Sequence, residues 1–168
     1  AALLADRYPE ARIATLGDGS GSYPDSPVLN GFLGSTWGVM NAVPDWPETA
    51  DLRVHDWSVP GLYVYGGQHA PSVTFARFDF AYDDAQAFYG ALVGVAADDL
   101  VSLMDLIESE IEAQGVPVAS YTAPGDDHTL LWRDVVYEVE VEGVRLIDWI
   151  TDVVAGSPVE DVRCRDCR

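Results

Sequence analysis

Short apolar segments that alternate with amphipathic segments constrain the fold of this chain more than any other feature of its sequence. Residues 11–16, 73–78 and 116–121 are short and apolar, as expected for strands of a parallel sheet, and 73–78 is also rich in aromatic residues. Residues 83–92 and 98–113 both lie between the second and third of these segments and have the spacing of helices. This order predicts an α/β fold with a mainly parallel sheet flanked by helices.

The helical and strand patterns extend through the rest of the chain. In 98–113 the apolar residues recur at helical spacing, and Gly115 ends the helix; these residues are Leu100, Leu103, Met104, Ile107 and Ile111. Residues 3–9 read as the end of a helix that stops at Pro9. Residues 135–141 alternate as a strand, and 144–154 form an amphipathic helix that ends at Gly156.

A stretch of irregular composition interrupts this alternation between residues 21 and 72. It holds Pro24, Pro27, Pro44, Pro47, Pro60 and Pro71, which are six of the ten prolines, together with three of the five tryptophans. Such a density predicts a loop-rich insertion with short helices rather than a second domain. With 168 residues the length also favours one domain, which we place at residues 1–168.

The charge of the chain is strongly acidic. Nine arginines, no lysine and 28 acidic residues give a formal net charge of −19. Such a surface repels nucleic acids and anionic membranes, so neither is expected as a partner, and a substrate rich in uronic acids fits it poorly. No run of about 18 apolar residues is present, so no membrane span is expected.

The two cysteines, Cys164 and Cys167, form a Cys-x-x-Cys sequence close to the end of the chain. A thioredoxin-type motif would follow a strand and open a helix, whereas this one lies in a tail. A zinc site needs four ligands, and the only histidines are His55, His69 and His128. We expect a structural disulfide, either between the two or with cysteines outside this sequence, and no metal or organic cofactor.

Asp83 and His128 are the residues whose placement suggests catalysis. Asp83 begins a helix directly after the segment 73–78, and His128 lies in a loop with Pro124 and Gly125 after 116–121. In Ser-His-Asp hydrolases the acid and the histidine occupy such loops and follow the nucleophile in chain order. By itself, a lone loop histidine is more often a surface residue. No Gly-x-Ser-x-Gly sequence occurs in the chain.

Four short motifs in a fixed order resemble the pectin acetylesterase and Notum-like carboxylesterases, which are serine α/β-hydrolases. They are Ala1–Arg7, the turn Gly17–Gly21 with Pro24 and Asp25, the segment Tyr82–Gln86, and Tyr121–His128. The resemblance implies that the chain is the C-terminal half of such a fold and lacks its N-terminal strands. Members of this family often carry a similar pair of cysteines at the C-terminus.

The resemblance also implies residue roles. The aspartate of the family's Asp-Asp/Glu-x-Gln motif is the triad acid and maps to Asp83, whereas the rival Asp84 is also explained as a carboxylate favoured at a helix N-terminus. The late-loop histidine maps to His128. The serine and the oxyanion loop would lie before residue 1, so the missing half or a partner chain would supply them. We expect Asp83 and His128 to lie within hydrogen-bond reach at one end of the sheet.

The function expected on this basis is hydrolysis of a carboxylic ester through serine acyl transfer, with carbohydrate O-deacetylation as one form of it. The partners would be an ester substrate and the missing N-terminal half, and the location secreted or extracellular. The alternative is a non-catalytic binding or assembly module that kept the hydrolase scaffold without its nucleophile. An exposed edge beside strand 11–16 would then pair with another chain.

The sequence allows more than one role for several other residues. Asp18 lies between two glycines, where an Asx-type turn is the favoured interpretation and a place at the active-site rim is the other. Ser20, Ser22 and Ser35 lack the context of a nucleophile, and His55 and His69 match no motif and are expected at the surface or in loops. Five aromatic residues either line a substrate pocket or cover the core: Trp37, Trp46, Trp57, Tyr63 and Tyr65.

Overall fold

A computed structural model describes residues 1–165 and Cys167 and contains a mainly parallel sheet with helices on both faces. The strands are β1 (Ala14–Asp18), β2 (Thr74–Phe80), β3 (Val118–Ala123), β4 (Glu140–Val141), β5 (Val144–Arg145) and β6 (Val162–Arg163). The helices are α1 (Ala2–Arg7), α2 (Pro27–Trp37), α3 (Val59–His69), α4 (Asp84–Ala91), α5 (Leu100–Ala113) and α6 (Leu146–Ala155). The prediction of an α/β fold with a mainly parallel sheet is confirmed.

The four-stranded sheet has the order β1-β2-β3-β6, and every neighbouring pair is parallel. Because parallel strands end at the same edge, the carboxyl ends of β1, β2 and β3 lie together, at Asp18, Phe80 and Ala123. The loops that follow these three strands therefore meet at one edge of the sheet. This edge carries the candidate site.

The side chains of β2 alternate between the two faces of the sheet, and different helices cover each face. Phe78 and Phe80 pack with Tyr121 of β3 and Trp149 of α6 in one buried cluster. The opposite face has its own cluster, which includes Phe75, Val118 and the buried face of α5. Arg77 and Asp79 of β2 are buried on that second face, and their charges have consequences for the site.

The insertion at 21–72 is more regular than its composition predicts. It contains α2 and α3, each of 11 residues, and both begin with a serine before the helix and a proline in the first turn. Proline suits the first helical turn because its missing N–H would have no partner there anyway. The side chain of Ser58 accepts a hydrogen bond from the Gly61 N–H at 3.0 Å. Ser26 with Pro27, and Ser58 with Pro60, therefore mark the starts of two helices in a segment that was predicted to be rich in loops.

The predicted strand at residues 135–141 is wrong. A 3₁₀ helix, Asp134–Tyr137, occupies its first three residues, and only Glu140–Val141 pair as a strand, antiparallel to β5. Val135 and Val139 both pack against the core beside the buried Val136, a helical spacing that outweighs the alternation. Helix α6 begins at Leu146 and not at the predicted residue 144, because Val144 pairs with Val141 in the hairpin. The two-residue strand β6 was not predicted, since so short a segment has no periodicity.

The predicted first strand, 11–16, is displaced toward the carboxyl end and forms β1 at Ala14–Asp18. In the part of the chain that the structure describes, β1 pairs with β2 alone, so its other edge has no strand beside it. All five residues of β1 are half-buried. The described helices include none that is long and apolar enough to cross a membrane.

Cys164 and Cys167 are joined to each other by a disulfide. Cys164 follows β6, is buried, and its N–H donates to the carbonyl of Thr122 at 3.1 Å. The disulfide therefore forms a short covalent loop directly after β6. Of the pairings left open by the sequence, the structure has the local one.

Candidate active site

The turn between β2 and α4 places Asp83 in the interior of the protein. Asp83 is the N-cap of α4, and its Oδ1 accepts a hydrogen bond from the Gln86 N–H at 2.9 Å. Its side chain is fully buried. A carboxylate suits this position because the first N–H groups of a helix have no partner inside the helix. The cap thus fixes the orientation of the acid.

The loop after β3 is bound to this turn through the backbone. The N–H groups of Tyr82 and Asp84 donate to the carbonyls of Gly125 and Asp126 at 2.9 and 3.0 Å. The N–H of Ala81 donates to Ala123 at 2.9 Å, so the pairing of β2 with β3 continues past the ends of both strands. This continuation carries the chain to His128 directly beside Asp83.

His128 and Asp83 are in contact, as expected from the sequence. The imidazole Nδ1 lies 2.9 Å from Oδ2 and 3.1 Å from Oδ1 of Asp83. An ionised carboxylate only accepts hydrogen bonds, so Nδ1 is the donor in this contact, and in the neutral imidazole Nε2 is then the nitrogen with the lone pair. The histidine side chain is 41% exposed, which leaves it accessible to a substrate. This tautomer is the one that a general base needs.

Asp84, the rival acid, is exposed in the first turn of α4. Its place agrees with the alternative explanation, in which a carboxylate is favoured at the positive end of a helix dipole. Asp83 alone of the two is within hydrogen-bond distance of His128. The catalytic assignment of Asp83 and His128 stays a prediction, and their geometry is compatible with it.

Asp18 has a role that the sequence analysis missed. Its Oδ1 accepts from the N–H of Leu130 at 3.0 Å, and its Oδ2 accepts from the N–H of Leu131 at 2.9 Å. The expected Asx-type turn is therefore wrong, because this carboxylate binds a loop more than 100 residues away. The side chain of Leu130 is fully buried in the cluster of Phe78 and Phe80, which also attaches this loop to the sheet. The end of β1 thus holds the loop of His128.

Gly19 lies directly under the imidazole. Its backbone has φ +74°, and a Cβ atom at this position would lie 2.3 Å from the carbonyl oxygen of His128 and 2.9 Å from Nδ1. A Cβ atom does not approach other atoms this closely in real proteins, so only glycine fits here without a shift of His128. The histidine therefore rests on bare backbone at the end of β1.

Gln86 connects Asp83 to further buried polar groups. Its Oε1 accepts from the N–H and the hydroxyl of Ser22 at 2.6 and 2.7 Å. Its Nε2 donates to Asp83 Oδ2 at 2.8 Å and to Asp79 Oδ1 at 3.0 Å. The side chain is fully buried, and its amide uses all of its hydrogen-bonding capacity.

Asp79 belongs to a buried charged group behind the site. The Nε of Arg77 lies 3.9 Å from Oδ2 of Asp79. Its Nη2 donates to the Glu108 carboxylate at 2.5 Å and to the carbonyl of Met104 at 2.8 Å. Within the described residues the Nε of Arg77 has no hydrogen-bond partner. Burial raises the pKa of Asp79 to about 6, although Arg77 and the hydrogen bond from Gly21 act in the opposite direction. Asp79 therefore takes up a proton on folding in mildly acidic solution.

The raised pKa of Asp79 gives a test by pH. A carboxyl whose pKa is higher in the folded protein stabilises the fold less as pH rises, because the folded state resists ionisation. Asparagine at position 79 keeps an acceptor oxygen and does not titrate. We expect the unfolding free energy of the wild type, minus that of Asp79→Asn, to fall by about 2 kcal/mol between about pH 4 and pH 7. Urea titrations at several pH values measure this difference.

The control for this experiment is Asp84→Asn, at an exposed site in the same segment. Its difference from the wild type should change by less than about 1 kcal/mol over the same range, the scale of a helix-dipole effect. A wild-type minus Asp79→Asn difference that stays flat or rises with pH would contradict the assignment.

The remaining serines and histidines lie away from His128 or are bound elsewhere. The hydroxyl of Ser20 is 2.7 Å from that of Tyr63, and Ser35 is exposed on α2. His55 is 3.2 Å from the carbonyl of Pro27. His69 is a helix residue rather than a loop residue, since it is in the last turn of α3.

His69 also lies in a cluster of its own. Its two ring nitrogens are 2.9 Å from Asp6 and 3.3 Å from Glu48, and its ring stacks on Trp46. Hydrogen bonds to these carboxylates, chiefly that of Asp6, raise the pKa of His69. The cluster joins α1 to the insertion and does not reach the candidate site.

The aromatic residues of the insertion divide between the two roles left open by the sequence. Trp57 is buried with Leu29 and Leu33, so it belongs to a core of the insertion. Trp57 also lines an apolar cavity of about 300 Å³ together with Trp37, Trp46 and Tyr65. Tyr63 lines a second cavity, of about 420 Å³, whose wall includes Gly17, Ser20 and Phe75. This second cavity follows β1 toward the residues that support His128.

The described residues contain no group of three or more His, Cys, Asp or Glu side chains arranged to hold a metal ion. Comparison with known proteins gave no match: no protein-family model, no curated protein and no solved structure matches this chain.

Proposed function

We propose that this chain carries the acid and the base of a carboxylic-ester hydrolase on an α/β-hydrolase scaffold. The observation that supports the proposal most strongly is the contact of Nδ1 of His128 with the buried carboxylate of Asp83. A histidine held in this way on the loop after one strand, by an acid on the loop after its neighbour, is the arrangement of Ser-His-Asp hydrolases. Asp18 and Gly19 support the same loop from β1.

The mechanism uses the free Nε2 of His128. This nitrogen takes the proton of a serine hydroxyl as the oxygen attacks the ester carbonyl, and then gives that proton to the leaving alcohol. Asp83 holds the tautomer and stabilises the imidazolium that forms in between. In the second half of the reaction His128 takes a proton from water as the water oxygen attacks the acyl-serine, and it then gives that proton to the serine oxygen as the acid leaves. The serine and the oxyanion donors come from a segment outside this sequence or from a partner chain.

Two features support this source for the nucleophile. The outer edge of β1 has no paired strand among the described residues, and the cavity of about 420 Å³ lies along that strand. Ser20, which directly follows Gly19 under the imidazole, has its hydroxyl 2.7 Å from that of Tyr63. A strand added beside β1 would bring a serine at its carboxyl end to the same edge of the sheet as His128.

The substrate class follows from charge and from the resemblance of the motifs. A net charge of −19 disfavours anionic substrates, so neutral esters are proposed, with acetylated carbohydrates as the first class to test. The disulfide between Cys164 and Cys167 favours an oxidising compartment and therefore a secreted or extracellular location. The proposed mechanism needs neither a metal nor an organic cofactor.

The second candidate function is a non-catalytic assembly module. The unpaired edge of β1 favours it, because an open strand edge readily pairs with another chain. In that case the contact of Asp83 with His128 would be structural only.

Ester hydrolysis separates the two functions. We would compare this 168-residue chain with a longer chain that includes the upstream coding sequence, using p-nitrophenyl esters of two to ten carbons and acetylated xylan. The longer chain should hydrolyse at least one of these esters, and the shorter chain should not, because it lacks the nucleophile. A longer chain that folds and hydrolyses none of them would favour the assembly module. Robust hydrolysis by the shorter chain would place the nucleophile inside it.

A further inference from the structure

Gln86 is bound to the candidate acid twice, through its backbone and through its side chain. The N–H donates to Oδ1 of Asp83 at 2.9 Å, and Nε2 donates to Oδ2 at 2.8 Å. Each oxygen of Asp83 therefore has one donor from Gln86 and faces Nδ1 of His128 with its remaining capacity. The carboxylate is held from the side opposite to the imidazole.

The direction of the Gln86 amide is fixed by chemistry. The backbone N–H of Ser22, 2.6 Å away, can only donate, so the atom that faces it must be the amide oxygen. The NH₂ group then has to face Asp83 and Asp79. A flipped amide would direct its oxygen at two carboxylates and a donor at the Ser22 N–H, so the hydrogen bonds to Asp83, Asp79 and this N–H would all be lost.

On the basis of the proposed function, we infer that Gln86 is the positioning residue that orients Asp83 toward His128 and thereby fixes the Nδ1–H tautomer of the histidine. Without the side-chain amide, Oδ2 of Asp83 loses the one donor besides His128 that it has among the described residues. The carboxylate is then free to rotate on its backbone cap, and the imidazole loses the geometry that selects one tautomer. Only part of the His128 population then carries its proton on Nδ1, the tautomer that the proposed catalysis needs.

The test is nuclear magnetic resonance of the His128 ring in the 168-residue chain, which requires no catalysis. In the wild type we expect one neutral tautomer, with a protected Nδ1–H. In Gln86→Met, which keeps the volume and the backbone cap, we expect both tautomers and a solvent exchange of Nδ1–H that is about tenfold faster or more. Ser22→Ala removes one of the two donors to Oε1 and should shift the same signals in the same direction, but less.

Glu108→Gln is the matched control, because it disturbs the far end of the same buried polar network through Arg77 without touching Asp83. It should leave the His128 signals unchanged even where its cost in stability is comparable. If Gln86→Met fails to fold, Ser22→Ala decides. Unchanged His128 signals in the folded variants, or equal changes in Glu108→Gln, would overturn the positioning role.

The readouts separate this inference from the function on which it rests. In the longer, active chain, Gln86→Met should lower kcat while KM changes little, since the substrate does not contact Gln86. If the longer chain hydrolyses no ester but the ring signals change as expected, the proposed function fails and the orientation of Asp83 by Gln86 stands. If the wild type is active and the ring signals of Gln86→Met are unchanged, the positioning role fails alone.

Discussion

Replacement of His128 by alanine should lower kcat of the assembled ester hydrolase by about 10⁴-fold or more, with little change in KM. In the proposed mechanism the imidazole takes the serine proton, because its Nδ1 is bound to the buried carboxylate of Asp83 and its Nε2 has no partner among the described residues. The folded chain should lose little stability, since the side chain is 41% exposed. Steady-state kinetics with the best ester measure the effect.

His55→Ala is the matched control for this experiment. His55 is also an exposed loop histidine, but it contacts the carbonyl of Pro27 in the insertion. Its replacement should leave kcat within about twofold of the wild type, as expected for a surface substitution away from the site. Comparable losses in the two variants, or an active His128→Ala enzyme, would contradict the role of His128 as the base.

Gly19→Ala should destabilise the fold by about 3 kcal/mol or more and displace His128 from Asp83. The left-handed backbone at φ +74° accounts for roughly 1–2 kcal/mol of this cost. The rest comes from the carbonyl and the ring of His128, because the new methyl group would lie 2.3 Å from the carbonyl oxygen. Urea unfolding measures the stability, and the Nδ1–H signal of His128 reports the displacement.

Gly115→Ala isolates the backbone contribution. Gly115 has a similar φ of +84°, and a Cβ atom there would meet nothing within 4 Å. We expect it to cost about 1–2 kcal/mol and to leave His128 in place. If Gly19→Ala is no more destabilising than Gly115→Ala and the His128 signal is retained, then the imidazole does not rest on Gly19 as the structure has it.

The parts of the fold that were predictable have regular side-chain patterns over many residues. Helix α5 carries an apolar stripe, and β2 is an apolar run between a proline and an acidic turn, so both were found. The contact of Asp83 with His128 was predicted from the resemblance of their motifs to the esterase family, together with their position in loops after neighbouring parallel strands. Each residue follows such a strand, and the pairing of β2 with β3 brings them together.

The errors arose where a contact distant in the sequence decides the structure. Asp18 beside two glycines has the local signature of a turn, but its carboxylate binds the N–H groups of Leu130 and Leu131. Gln86 occurs in the motif that led to Asp83, yet its role depends on Ser22 and Asp79, which the fold places beside it. Valines at 135–141 fit an alternating pattern and a helical one equally well, and packing against the core decided for the second.

Trapping of the nucleophile tests the central claim most directly. A fluorophosphonate should phosphonylate one serine of the longer, active chain, and mass spectrometry of the digested protein locates it. We expect the adduct on a serine outside this 168-residue sequence, and its rate of formation should fall by orders of magnitude in His128→Ala. An adduct on Ser20, Ser22 or Ser35, or one that forms at the same rate without His128, would contradict the claim that Asp83 and His128 serve a serine supplied from elsewhere.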